Sequence, residues 1–459
     1  MQPKSALLDR LSRMSREDML ALQFGKLQRQ LRRLQDGNGF YRDAWAAAGA
    51  HADQIRTLDD FRRRIPAIDK ARCLADQVAE PPFGRRVGVP RDELALVCMT
   101  GGTSGQGQEV YGRTGQDLIW QGYFHALPWF IAGLRPGDVA LNCVPAGGLT
   151  TGGWGPTEGL RAAGALPLTA GGAMNTDAKI DLMLRFGDIH FIYASTNYFH
   201  TLTQAMRRRG IDPAARFPML KAAFIAAEGY PVEWARDVQE FWGCPLHEGY
   251  GSTQGAGFIC STAEGGVLDG PGGRGPMHCF DWHVLVEVVD PDTDEPVAEG
   301  EFGEVVLTNL DIAASPVVRF RTRDRARLVP SGDGRQWTAL ESGTMGRYDD
   351  MLKIRGNNVW PSAVDLAVFA HEEVAEYTGR VFVDSAGRTE AEIRLALKPA
   401  HADAPDSHIA AIHRRVQDAV KQRTNVMMRI IDTPYAEMPV FDYKARRWKD
   451  ERKQGYQAQ

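Results

Sequence analysis

The chain has 459 residues, 43% of them hydrophobic and 24% charged, with a formal net charge of -4. That length exceeds one comfortable hydrophobic core and predicts two unequal domains, while a near-neutral charge without a long basic block excludes an electrostatic case for nucleic acid. No apolar run approaches the roughly 20 residues that span a bilayer, and the polar, amphipathic beginning lacks a secretory pattern; the expectation is a soluble cytoplasmic protein, monomer or homodimer, acting on a small molecule without a membrane partner.

In chain order, Leu20, Phe24, Leu27, Leu31 and Leu34 recur at steps of three or four, one apolar stripe on a helix. Ser15 is its cap, Arg29, Arg32 and Arg33 suit the C-terminal end of its dipole, and Gly37 is its stop. Residues 94–98 predict a strand that opens on Thr100-Gly101-Gly102-Thr103-Ser104-Gly105-Gln106-Gly107-Gln108. The glycines let backbone N–H groups approach an anion, and the hydroxyls of Thr100, Thr103 and Ser104 add donors. The same composition also suits a solvated loop, and no GKS or GKT closes it as a Walker loop.

From about residue 90 to 345, short apolar runs at 139–144, 191–194 and 222–226 alternate with helical patterns, which predicts an α/β fold. Residues 284–289 and 304–308, separated by Asp290-Pro291-Asp292-Thr293-Asp294, predict two antiparallel strands. Beyond residue 350 the pattern restarts with a strand pair at 379–383 and 392–397 and a helix over 407–422, so the domain boundary is placed near Asp349. The six cysteines, Cys73, Cys98, Cys143, Cys244, Cys260 and Cys279, are scattered without a CxxC pair and predict reduced thiols.

Five segments fall in one order: the loop from Thr100 to Gly107, Ala226-Ala227-Glu228-Gly229, Tyr250-Gly251-Ser252-Thr253-Gln254, Arg319-Phe320-Arg321-Thr322-Arg323-Asp324, and the run from Gly346-Arg347-Tyr348-Asp349-Asp350 through Lys353-Ile354-Arg355-Gly356-Asn357 to Pro361-Ser362. The set resembles the adenylate-forming acyl-CoA synthetases, in particular the phenylacetate-CoA ligase branch, with its SSGTTGKP, GAEP, YGxTE, RYRTGD and GRxDDMxKxRGxNVxPS patterns. The resemblance covers nearly the whole chain. It implies a large N-terminal α/β domain with mixed sheets over 1–348 and a small C-terminal α+β domain over 349–459, joined by a hinge at Asp349. It also implies ATP and Mg2+ as cofactors, an acid converted to its acyl adenylate, and coenzyme A as acyl acceptor.

Residue roles follow from the resemblance alone. Thr100, Gly101, Gly102, Thr103, Ser104 and Gly105 would cradle phosphate. Tyr250 would stack on adenine, with Ala227, Glu228 and Gly229 on its other side and Glu248 accepting from the adenine amine; Gly251 and Ser252 complete that motif. Asp324 would accept from the ribose, Arg347 would contact ribose or phosphate, Lys444 would bridge carboxylate and α-phosphate, and Thr253 would help to hold magnesium together with ATP oxygens and water. Lys353, Arg355 and Gly356 would face coenzyme A, and Leu149, Trp154, Tyr230 and Phe258 would line a flat pocket for an aromatic carboxylic acid.

Two positions depart from the pattern. Gln106 replaces the lysine of the loop, and Gln254 replaces the glutamate that ligates magnesium, leaving an amide oxygen as a weaker ligand for a hard cation. Some branch members carry zinc; Cys260, His278 and Cys279 fall near that region, but the later paired cysteines are replaced by Pro330-Ser331-Gly332-Asp333-Gly334-Arg335, and no zinc is expected. Two alternatives stay open: an adenylating enzyme with another acceptor, such as a carrier-protein thiol, an amine or nitrite activated for diazotization, and a non-catalytic nucleotide-binding homologue.

Overall fold

The structure, a computed structural model, describes residues 3–100, 107–226, 229–384, 387–402, 404–439 and 447–452, with 3–6, 349 and 362 described by backbone alone. Packing divides the chain into two units, Met1–Ala227 with Ala235–Met345, and Glu228–Trp234 with Gly346–Gln459. The sequence placed a division at 348/349 and had no signal for grouping 228–234 with the second unit.

In the first unit, β1 (Leu94–Met99) and β2 (Val110–Thr114) form an antiparallel hairpin in which Met99 faces Val110. Next come β3 (Val139–Pro145), β4 (Leu166–Gly171), β5 (Ile189–Ser195), β6 (Ala222–Ala226), β7 (Leu246–Ser252), β8 (Gly257–Thr262) and β9 (Pro276–Cys279). Then follow β10 (Val284–Val289), β11 (Phe302–Asn309), β12 (Phe320–Arg327) and β13 (Ala339–Glu341). The main sheet has eight strands in the order β13-β9-β8-β7-β6-β5-β3-β4. It is parallel from β4 to β7 and antiparallel beyond. β6 is buried at every position and β5 at nearly every one, the continuous apolar run expected of strands covered on both faces. Helices Thr151–Ala163, Thr176–Phe186, Thr196–Arg208 and Val232–Trp242 supply the crossovers between successive parallel strands. Because β3 lies between β4 and β5, the chain changes direction there, and the carboxyl ends of these strands frame the place where open α/β sheets bind ligands. β10, β11 and β12 form the antiparallel arrangement read from the sequence, with Val284 opposite Asn309.

Helix Arg16–Gly37 starts at Ser15, whose hydroxyl accepts from the Asp18 N–H. Its buried seam departs from the expected leucine stripe. Met19, Gln23, Leu27, Gln30, Leu31 and Leu34 are buried, whereas Leu20 and Phe24 are half-buried. The two glutamines belong inside because they donate to backbone carbonyls, Gln23 to Asp281 and Gln30 to Ile312. The arginines do not crowd the last turn: Arg33 donates to the Ile312 and Ala313 carbonyls, and Arg32 sits 3.6 Å from Asp53.

In the second unit, Val374–Val383 and Thr389–Leu397 pair antiparallel and are flanked by Trp448–Asp450 and Arg429–Asp432. Ile412, Val416 and Val420 of helix Asp406–Thr424 pack into the same core as Tyr377, Val381 and Ile393. Among the described residues, no helix is long and apolar enough to cross a membrane.

Helix Gly115–Ile131 begins with a reciprocal cap, Thr114 and Asp117 each bonding the other's backbone N–H. It packs closely on Thr151–Ala163 because two glycines leave room for His125. A Cβ on Gly155 would lie 2.2 Å from His125 Nε2, and one on Gly159 would lie 2.5 Å from His125 Cβ. Gly155→Ala should therefore destabilise the protein by about 1–3 kcal/mol, the usual cost of overpacking. Truncating the obstacle with His125→Ala should restore most of that loss in a double-mutant cycle of urea denaturation, whereas additive effects would mean that the ring is not the obstacle.

Candidate active site

The hairpin of β1 and β2 closes the mouth of the glycine-rich loop. Thr100 N–H donates to the Glu109 carbonyl at 3.0 Å, and Glu109 N–H returns a bond to Thr100 Oγ1 at 3.0 Å. Met99 N–H reaches the Leu149 carbonyl at 2.7 Å, linking β1 to the turn after β3. Gly101, Gly102, Thr103, Ser104, Gly105 and Gln106 lie outside the described residues, as do Ala227, Glu228 and Lys444.

β7 carries the next group. Tyr250 donates its hydroxyl to Asp324 Oδ2 at 2.6 Å, joining two motifs 74 residues apart. Burial, with Asp324 beside it, pushes the Tyr250 phenol well above its ordinary value and keeps it a donor. Asp324 is aimed from behind: its N–H donates to Thr322 Oγ1, and the Thr322 hydroxyl donates to the Val305 carbonyl. The arginines of this motif are structural. Arg319, just before β12, is buried against Glu287, and Arg321 reaches Glu304 at 2.7 Å, so the strand is anchored at its start by basic residues and presents its acid. Glu248 is buried and accepts from Gly343 N–H at 2.7 Å. Ser252 Oγ caps the following turn at Gly255 N–H, and Gly251 is required where a Cβ would come 2.5 Å from the Gly257 carbonyl.

Beneath this turn lies a polar cluster that the motifs do not mark. Arg113, fully buried, donates to the Thr253 carbonyl at 2.8 Å and to the Ser315 carbonyl. The guanidinium groups of Arg86 and Arg113 lie 4.9 and 5.4 Å from the ring centre of Tyr111. Gln254 Nε2 donates to Glu109 Oε2 at 2.9 Å, and Tyr111 donates to Glu109 Oε1 at 2.7 Å. Burial raises the Glu109 carboxyl above its ordinary range, opposed by the Tyr111 hydrogen bond and by Arg86 and Lys70. Glu109 and Arg113 drew no notice in the sequence because a lone acid before a strand and a lone arginine within it carry no pattern of their own.

The expected acid-pocket residues are scattered in environment. Leu149 is 53% exposed, Trp154 is half-buried, and Tyr230 packs on Trp234. Phe258 is buried among Tyr193, Phe224 and His125, its ring 5.1 Å from the imidazole. Both nitrogens of His125 are buried without a hydrogen-bond partner, and burial lowers its pKa to about 3. His125 was hidden in the apolar run of its helix.

In the second unit, Leu352–Ile354 and Asn357–Val359 form a hairpin whose two turn residues, Arg355 and Gly356, both have positive φ, the geometry of a type I′ turn. Lys353 is exposed, while Arg355 is held by Glu390 and the Thr389 carbonyl. Arg347 is half-buried, and Asp349 lies in a short 3-10 turn. Cys260 and Cys279 face each other across β8 and β9, and His278 Nε2 lies 2.8 Å from Ser331 Oγ and 3.3 Å from Asp333. Among the described residues, no group of three or more His, Cys, Asp or Glu side chains could hold a metal ion.

Residues 42–313 match the family model described as AMP-binding enzyme. The chain is 30% identical to a phenylacetate-coenzyme A ligase of Thermus thermophilus over 444 residues, 94% of this chain and 95% of that one. It is 29% identical to a phenylacetate-coenzyme A ligase of Aromatoleum evansii over 458 residues, 98% of each. Its fold is that of a 2-hydroxyisobutyryl-CoA ligase solved in the postadenylation state with an acyl-AMP, with a TM-score of 0.87 and 23% identity, covering 98% of this chain and 94% of that one.

The buried imidazoles set a pH dependence. Burial holds His125 at about 3 and His247 at about 4, against 6.5 for a free imidazole. Their folded values are depressed, so the unfolded chain binds more protons below pH 6.5, and stability falls as the pH drops toward the folded values. His125→Leu should flatten the slope of stability against pH between 6.5 and 4 by up to about 1.4 kcal/mol per pH unit, read from urea denaturation. An unaltered slope would show that His125 gains its proton without unfolding.

Proposed function

The chain belongs to the AMP-binding enzyme family, in its phenylacetate-CoA ligase-like branch, and we infer that it is an ATP-dependent, AMP-forming acid–coenzyme A ligase. In the first half-reaction a substrate carboxylate oxygen attacks the α-phosphorus of ATP. The bond to the bridging oxygen breaks, and pyrophosphate leaves as the acyl adenylate forms. In the second, the sulfur of coenzyme A attacks the acyl carbon, its proton is lost, and AMP departs.

The observation that carries this reading is the Tyr250–Asp324 hydrogen bond at the carboxyl end of β7. A phenol ring fixed by a carboxylate offers a flat face to adenine, and the same carboxylate has lone pairs left for ribose hydroxyls. Glu248 accepts from the adenine amine, Ala227, Glu228 and Gly229 cover the other face of the base, and Gly251 and Ser252 complete the turn beneath it. The loop from Thr100 to Gly105 binds phosphate. Lys444, with Arg347, offsets the charge that develops as carboxylate meets α-phosphate. Gln254 and Thr253 offer hard oxygen donors that fit a magnesium ion held mainly by ATP and water, which would neutralise charge on the departing pyrophosphate. Asp349 is the hinge between half-reactions, and Lys353, Arg355 and Gly356 meet coenzyme A. The acid is aromatic, received by Leu149, Trp154, Tyr230 and Phe258; the ring cluster around Phe258 supports that choice.

Incubation with ATP, coenzyme A and a panel of aryl acids should yield AMP and pyrophosphate with one of the acids, and ADP formation would overturn the assignment. Asp324→Ala should weaken ATP binding by about 1.5–3 kcal/mol for each charge-assisted bond lost; unchanged affinity in the folded variant would place the nucleotide elsewhere.

Lys444→Ala and Asp349→Pro separate the half-reactions. The first should abolish acid-dependent pyrophosphate exchange yet still convert a supplied acyl adenylate to thioester. The second, by fixing φ at the hinge, should leave exchange and slow transfer. Equal loss of both activities in each variant would remove these roles.

A further inference from the structure

Glu109 is hydrogen-bonded on one side to Thr100, which leads into the glycine-rich segment, and on the other to the turn after β7. Its backbone exchanges bonds with Thr100, and its carboxylate accepts from Gln254 and Tyr111. The side chain is fully buried, while Gln254 is half-buried. A carboxylate can only accept here, so it selects the nitrogen of the Gln254 carboxamide and turns that nitrogen inward. The carbonyl oxygen is thereby left on the side of the carboxamide away from Glu109. Donation from Nε2 to an anion also polarises the amide and enriches its oxygen. The same 2.9 Å separation explains why an acid does not stand at position 254: two ionised carboxylates would be forced together in a buried place.

We propose that Glu109 is a positioning residue for adenylation, which locks Gln254 with its carbonyl oxygen toward the nucleotide and makes that neutral side chain a competent oxygen donor for the cation on the ATP phosphates. This rests on the adenylation reading above. The negative charge is kept one residue removed from the cation, and Glu109 ties that donor to the phosphate loop through Thr100. The amide could present either end if it faced a second amide, so the isosteric Glu109→Gln frees Gln254 to turn its N–H groups outward.

The test is ATP affinity by calorimetry with magnesium and with EDTA. Glu109→Gln should weaken binding by about tenfold or more in magnesium, which corresponds to about 1.4 kcal/mol, and leave binding in EDTA nearly unchanged. Gln254→Glu alone should weaken magnesium-dependent binding and lower the thermal midpoint. Glu109→Gln combined with Gln254→Glu should recover much of both, since an amide then faces a carboxylate again. Tyr111→Phe controls for structural loss: it removes the other side-chain partner of Glu109 and should lower stability without moving the magnesium dependence. Equal weakening in magnesium and EDTA, or additive losses in the double variant, would overturn the proposal while the wild type still binds ATP. Absence of ATP binding by the wild type would instead overturn the adenylation reading, and this proposal with it.

Discussion

An irregular stretch of backbone, residues 311–318, runs through the interior of the first unit, and its polar groups are met by side chains from distant segments. The Asp117 carboxylate accepts from the N–H groups of Ala313 and Ala314 as well as Thr114. Gln30 and Arg33 donate to Ile312, Arg33 to Ala313, Arg113 to Ser315, and Tyr41 to Pro316. Buried backbone without a strand or helix partner is costly, and these side chains, together with the Gly88 and Asn309 N–H groups on the Ala314 and Val317 carbonyls, offset that cost. Immediately beyond it begins β12, and the position of Asp324 is inherited from this anchorage. Helix Arg16–Gly37, whose residues have no part in the proposed chemistry, thus helps to hold the segment that leads to Asp324.

The site has two layers of differing origin. The outer layer holds the motif residues Tyr250, Asp324, Thr253 and Thr100. The inner layer, Glu109, Tyr111, Arg113 and Asp117, holds their backbone and orientation. The buried Arg113 is tolerated because carbonyl oxygens of Gly112, Ser315 and Thr253 solvate it. Burial lowers its pKa, and the direction of that shift is the expected cost of keeping a cation beneath the turn at Thr253.

The division between the layers is also the division between what could and could not be read from the chain. Strands β5, β6, β10 and β11 were legible because their apolar runs are continuous, and the motif segments because their residues are neighbours in sequence. Gln23 and Gln30 were not: their burial depends on carbonyls more than 250 positions away. The Tyr250–Asp324 bond was foreseeable only as two separate roles, since nothing local to either residue names the other. His125 escaped because one polar residue inside an apolar helix does not disturb its period, and its space is made by glycines on another helix.

All six cysteines are buried. Burial raises Cys73, Cys143 and Cys244 to about 12, so their sulfur stays protonated and shielded. A mixed anhydride of an acid and AMP is an indiscriminate acylating agent, and its natural competitor for coenzyme A would be a thiolate of the protein itself. By withdrawing all six cysteine side chains into the core, the fold keeps its own thiols out of reach of that anhydride, a chemoselectivity achieved by subtraction.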